Sequence, residues 1–201
     1  MTHTLPAAIE AIVACFSPRP EVVAIALGGS RASERIDSLS DYDIYVFLDA
    51  EIPLDARRDL AARFDPQPEI GNTWFGPGDE WTDRHDGTAV DIMYWDRTGF
   101  ECDLRAVIEM HRPTLGYSTA FWHTTRYAMP LHDRDGWFAS LQDLATTPYQ
   151  ELRRTTHSSY RHQIELAIDI LCDSLDELIR NASLEDAADR SQSSEGPVYS
   201  R

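Results

Sequence analysis

The sequence runs from Val22 to Leu27 without a polar residue and passes straight into Gly28-Gly29-Ser30. An uninterrupted apolar run of this length needs cover on both faces, which is the pattern of an interior strand. Two glycines at its end allow a tight turn that most residues would strain. The segment therefore predicts strand, glycine turn, and a helix that begins near Arg31.

Other elements follow from periodicity. Ile9, Ile12, Val13 and Phe16 fall at the spacing of one helix face, with Pro6 tolerated at the first turn. Asp43 to Leu48 and Ala89 to Trp95 read as strands from their β-branched and aromatic content. A helix is expected around Leu54 to Phe64. Six prolines and glycines between Pro66 and Gly78 predict loop with at most short strands from Asp65 to Asp86. The pattern turns helical after Gly99, and again from about Pro148, where Tyr160, Ile164, Ile168, Leu171, Leu175 and Leu178 form an apolar stripe. From Ala182 the periodicity disappears and a disordered tail is expected. The whole reads as an α+β (α/β) chain: a core over 1–100, a helical extension over 101–181 and a tail over 182–201. Packing on the core is the ordinary use of the apolar stripe; a partner or a missing downstream segment is the other reading.

Charge narrows the function classes. Eighteen basic residues against 34 acidic ones give a net charge of −16, which argues against an extended nucleic-acid surface and suits a small cationic acceptor better. Cys15, Cys102 and Cys172 are widely spaced and odd in number, so a reducing cytoplasm is expected instead of a disulfide framework. Neither a signal sequence nor a run approaching the ~18 apolar residues of a membrane span is present, and no membrane association is expected.

The chemistry concentrates in three aspartates. Asp41 and Asp43 are two apart at the start of a strand, so their carboxylates share a face. Like charges this close are costly unless a cation neutralises them, and magnesium suits hard oxygen donors. Asp91 interrupts an apolar strand between Val90 and Ile92 and also needs a partner. If the two strands are neighbours, the three carboxylates form a site for a pair of metal ions of the kind used in phosphoryl transfer. Gly28 and Gly29 would let backbone N–H groups approach phosphate, with the Ser30 hydroxyl and Arg31 beside them. Alone the tripeptide is equally a plain turn, and the aspartates could instead pair with Arg31 or Arg35.

Taken together, Gly-Gly-Ser-Arg-Ala-Ser, Ser-Asp-Tyr-Asp-Ile-Tyr-Val and Val-Asp-Ile-Met-Tyr resemble the motifs of the nucleotidyltransferase superfamily, whose catalytic core is shared with DNA polymerase beta. The resemblance covers about residues 20 to 96. It implies a small mixed β-sheet flanked by helices, a palm-like core, and transfer of a nucleoside monophosphate from a triphosphate. It further implies that Gly29 and Ser30 bind the triphosphate and that Asp41, Asp43 and Asp91 ligate two Mg2+ ions, with ATP as the expected substrate. The segments Gly71 to Trp81 and Ser159 to Ala167 resemble a poorly characterised bacterial branch akin to antibiotic nucleotidyltransferases. That branch continues with further helices where this chain turns polar, so the C-terminal end is expected to be truncated or altered.

Several residues carry two readings. Trp74, Phe75 and Trp81 could stack on a base or fill the core, and Asp79 and Glu80 could meet an amine-bearing acceptor or lie in solvent. His157 and His162 are five apart and miss the spacing of helical zinc ligands. The resulting expectation is an adenylyltransferase-like enzyme acting on a hydroxyl of an unidentified small-molecule or protein acceptor. The rival is a noncatalytic nucleotide-binding or antitoxin-like module on the same fold.

Overall fold

The computed structural model describes residues 5–29, 41–73, 76–112, 118–147 and, further on, 150, 151, 153–155, 158, 160, 161, 165 and 167–175. Two units are distinguished, Met1–Arg153 and Arg154–Arg201. The first contains helices α1 (Ala7–Phe16), α2 (Leu54–Ala61), α3 (Arg97–Ile108), α4 (Ser118–Tyr127) and α5 (Trp137–Leu144). Its strands are β1 (Val22–Leu27), β2 (Tyr42–Leu48), β3 (Glu69–Asn72), β4 (Gly78–Thr82), β5 (Ala89–Asp96) and β6 (Met129–Asp133).

Among the described residues the strands form one sheet in the order β3-β4-β5-β2-β1-β6. Only β2 and β5 are parallel; the other neighbours are antiparallel. A parallel pair cannot be joined by a tight turn, and here the connection runs through α2 and the β3–β4 hairpin. The chain thus forms the expected mixed sheet flanked by helices.

β1 is buried along its whole length. Its side chains alternate between two cores, as a strand covered on both faces requires. Ile25 and Leu27 join Ile9, Ile12 and Phe16 of α1, Leu60 of α2, and Ile44, Val46 and Ile92 on one face. Ala24 and Ala26 face Phe100, Leu104, Phe138 and Leu141 of α3 and α5, together with Phe47. The small alanines leave room for this second, aromatic layer, in which Phe47 lies 4.9 Å from Phe100 and 5.2 Å from Phe138, centroid to centroid.

β6 was not anticipated in the sequence. It pairs with the free edge of β1, and Pro130, which has no N–H to donate, is tolerated there because among the described residues β6 is an outer strand. Asp133 at its end accepts hydrogen bonds from the backbone N–H groups of Phe138 and Ala139, both 2.9 Å, and so anchors the first turn of α5.

The Gly- and Pro-rich stretch yields the short strands β3 and β4, and Asp79 on β4 is fully buried. Its carboxylate accepts from Arg57 Nε (2.8 Å) and Nη2 (2.5 Å), from the Tyr94 hydroxyl (2.7 Å) and from Gly71 N (2.9 Å). Arg57 also lies 4.0 Å from the Tyr94 ring centroid and donates to Gly78 O. Asp79 is thus a structural anion that ties α2 to the hairpin, neither solvated nor free for an acceptor. Trp81 is 3% exposed and belongs to the α1–α2 core, which decides its role in favour of packing; Trp74 and Phe75 lie outside the described residues.

In the second unit the described residues are helical, with an Arg161–Glu165 ion pair of 2.8 Å one turn apart. Ile168, Leu171 and Leu175 of the expected stripe are exposed; Ile164 and Leu178 lie outside the described residues, as does the 182–201 tail. Among the described residues no helix is long and apolar enough to cross a membrane.

Removing one member of a buried, fully hydrogen-bonded ion pair strands the other. Asp79→Ala is expected to lower unfolding free energy by about 3–5 kcal/mol in urea titration. The paired replacement Arg57→Met/Asp79→Leu should recover most of that loss. Equal destabilisation by the single and double variants would contradict the role given to the pair.

Candidate functional site

β2 emerges with Asp43 as its second residue, and β5 carries Asp91 as its third. The parallel ladder sets the two directly opposite each other, followed by Tyr45 opposite Met93 and Phe47 opposite Trp95. Side chains opposite one another in a ladder share a face, so both carboxylates belong to the face covered by α3, α4 and α5. The adjacency that the sequence could only assume is present in the register. β1 runs antiparallel to β2, so its glycine turn returns to the same end of the sheet.

The two halves are in contact. Gly28 N donates to Asp43 O at 2.8 Å. A Cβ at Gly28 would collide with the Tyr45 ring, and one at Gly29 would collide with the Asp43 carboxylate. Gly29 also has φ +61°, in the left-handed region. Both glycines are therefore demanded by β2 side chains two residues apart. Ser30, Arg31 and Arg35 lie outside the described residues, as does the helix expected to begin near Arg31.

The carboxylates press on one another. Asp43 is half-buried and its pKa rises from 3.8 to about 6, chiefly through burial, then through the charges of Asp41 and Asp91. Asp91 is raised by burial, then by Glu80 and Asp41. Asp41 is exposed just ahead of β2. Among the described residues no salt bridge reaches any of the three.

Glu80, which the sequence offers only as a contact for an amine-bearing acceptor or as a solvated side chain, is a further member of this group. It stands opposite Asp91 on β4, with Glu69 opposite it on β3, so that Glu69, Glu80, Asp91 and Asp43 form one acidic row across four strands. Nothing in the linear spacing of these residues signals the row, because it depends on the register of a hairpin. Tyr45 was also missed, although its position two residues beyond Asp43 puts it on the same face. Its phenol is raised by burial and by Asp43, with Thr124 of α4 offsetting part of the rise.

Beside the carboxylates lies a cavity of about 250 Å3, bounded by Asp43, Tyr45, Asp91, Trp95, Phe121 and Thr124 among others. A larger cavity of about 600 Å3 opens against Leu48, Arg57 and Tyr94, and its lining includes neither Asp43 nor Asp91.

Hard carboxylate donors, a half-buried pair with mutually unfavourable charge, and an adjoining backbone cradle that tolerates no Cβ together fit a divalent cation with phosphate oxygens. The arrangement is a facing pair with a third carboxylate nearby. Among the described residues no three His, Cys, Asp or Glu side chains are gathered as one ready-made ligand group.

No family model matches the chain, and no curated protein matches it. Solved structures do. A chain of a mutant MntA-HpeT toxin-antitoxin is similar over 81% of this chain and 99% of its own, at 13% identity and TM-score 0.40. A chain of a toxin-antitoxin with AMP-PNP is similar over 79% and 97%, at 15% identity and TM-score 0.41.

A raised carboxyl pKa penalises the folded state once the group ionises. Between pH 4 and 6 the native Asp43 holds its proton while the unfolded one has lost it, so native stability falls across that window and stays lowered above it. With solvent screening, Asp43→Asn is expected to stabilise the chain by about 1–2 kcal/mol at pH 8 without divalent ions. The gain should vanish below pH 4 in melts across pH. A gain independent of pH would contradict this electrostatic account.

Proposed function

We propose that the chain is a metal-dependent nucleotidyltransferase that moves a nucleoside monophosphate, AMP from Mg·ATP as the leading case, to an acceptor hydroxyl. The observation that carries this reading is the direct register of Asp43 with Asp91 beside the Gly28-Gly29 turn. An acidic pair alone would repel a triphosphate. A phosphate cradle alone would not require two half-buried carboxylates. The combination suits a ligand that brings its own cations.

In this reading Asp41, Asp43 and Asp91 hold magnesium. When bound, magnesium supplies charge neutralisation for the phosphates and for the leaving pyrophosphate. The chain's own groups then do the positioning. The Gly29 backbone N–H, with the Ser30 hydroxyl and the Arg31 guanidinium next in sequence, orients the phosphate oxygens, while Gly28, whose N–H is held by Asp43 O, allows their close approach. The acceptor oxygen attacks the α-phosphorus, the bond from that phosphorus to the α,β-bridging oxygen breaks, and pyrophosphate leaves with the electron pair. The acceptor proton passes to a carboxylate, for which Asp91 is the candidate. No covalent enzyme intermediate is required.

The test combines a melt with a transfer assay. Mg·ATP at about 100 times its dissociation constant should add roughly 2.7 kcal/mol, about 5–10 °C for a chain of this length. The shift should require magnesium and disappear in Asp41→Ala/Asp43→Ala. Label from α-labelled ATP should then appear on an acceptor. No shift with any triphosphate, in a chain that melts cooperatively, would overturn the enzymatic reading in favour of a partner-binding module.

A further inference from the structure

We propose that the cavity of about 600 Å3 against Arg57 and Tyr94 is a second ligand site, which takes an uncharged, ring-bearing molecule with a carbonyl acceptor. This site stands apart from the transferase reading, since its lining includes neither Asp43 nor Asp91. Both carboxylates stand near the starts of β2 and β5, whereas Leu48, Trp95 and Asp96 line the cavity from the ends of the same strands. Asp96 is five residues beyond Asp91, about 16 Å at the rise of a strand. Tyr94 also belongs to the sheet face opposite that of Asp91, because successive strand residues alternate. The volume falls within the roughly 300–1,000 Å3 of small-molecule sites.

Two sets of donors at this cavity lack an acceptor. Arg57 is 7% exposed, and its hydrogen bonds run from Nε and Nη2 to Asp79 and Gly78 O, with the Tyr94 ring beneath the guanidinium. Nη1 reaches no carbonyl or carboxylate among the described residues, and a buried donor left without an acceptor is costly. The start of α2 forms the adjoining wall through Pro53 and Leu54. The N–H groups of Ala56 and Arg57 bond to Pro53 O, but the proline at the cap has no side-chain acceptor for those of Leu54 and Asp55. A carbonyl oxygen supplies the acceptor that each set lacks.

The charges around the cavity select against ions. Asp79 already balances Arg57, so Glu51 and Asp96, exposed in the lining, repel an anion. A cation inside would face the guanidinium and the positive end of the α2 dipole. The remaining walls are apolar. Ile52 and Tyr94 are buried, while Leu54 is 49% exposed, and a ring seated against them would cover that leucine. Water is the competing occupant, and walls of Ile52, Leu54 and Pro77 favour an apolar body over a water cluster, which needs several polar partners.

The experiment titrates the intact chain with benzamide, benzoate and benzylammonium, which share a ring and differ in charge, followed by calorimetry and proton–nitrogen NMR. Benzamide is expected to bind about tenfold more tightly than either ion. Its binding should move the amide resonances of Leu54 and Asp55 and the side-chain signals of Arg57, and leave those of Gly28, Asp43 and Phe121 in place. Leu54→Glu removes the apolar rim and puts a competing carboxylate at the first turn of α2, where it suits the helix dipole and spares the fold. The variant should melt as the native chain does and bind benzamide about fivefold more weakly. Absence of benzamide binding, which would leave the cavity to water, would overturn the proposal. So would equal binding of the three probes, resonance shifts centred on Asp43 and Phe121, or full affinity in Leu54→Glu.

Discussion

The parallel pairing of β2 with β5 is the constraint on which the rest of the site depends. A ladder fixes side chains in pairs, and this one sets Asp43 against Asp91 with no freedom to separate. Half-burial raises the pKa of both groups and the charges of neighbouring acids raise them further; like charges directly opposite each other also destabilise a sheet. A one-residue slip would relieve the repulsion. It would also turn every core residue of β5 toward the wrong layer. Val90, Ile92 and Tyr94 anchor one face and hold the register that the carboxylates oppose.

The neighbouring elements make that opposition tolerable and give it a use. β1 is covered on both faces and therefore rigid, and it delivers its glycine turn against β2, where Asp43 and Tyr45 leave no room for a Cβ. On the outer side the β3–β4 hairpin is fastened by a different device, the buried Arg57–Asp79 pair with the Tyr94 hydroxyl. The two aspartates of Asp79 and Asp91 thus illustrate opposite fates of a carboxylate near a sheet. Asp79 is saturated with donors and serves the fold, whereas Asp91 faces other acids and remains available to a cation.

How far the sequence discloses this architecture depends on whether the determining forces are local. Val22–Leu27 is readable to the residue because a continuous apolar run bounded by glycine has one economical solution. Asp41, Asp43 and Asp91 stand out because charge within strand patterns is locally anomalous. The facing of Asp43 and Asp91, by contrast, is a matter of register between distant segments and enters the sequence reading as an assumption. β6 escapes notice because Met-Pro-Leu-His-Asp has no alternation and a proline, features that only an edge position excuses. The place of Glu80 beside Asp91 and the Arg57–Asp79 pair escape because the partners are separated in sequence and nothing local marks which residues meet. Ser30 and Arg31 remain readings of the sequence alone.

The central claim is that the Asp43–Asp91 pair is held against the glycine turn in order to bind a divalent cation together with phosphate. Manganese binding, measured by electron paramagnetic resonance at pH 8 with and without a nonhydrolysable triphosphate, tests it most directly. The account predicts that the native chain binds manganese more tightly when the triphosphate is present, and that Asp43→Asn/Asp91→Asn abolishes that binding while leaving the fold intact. Manganese binding that is unchanged in the double variant, or that ignores the triphosphate in the native chain, would contradict it.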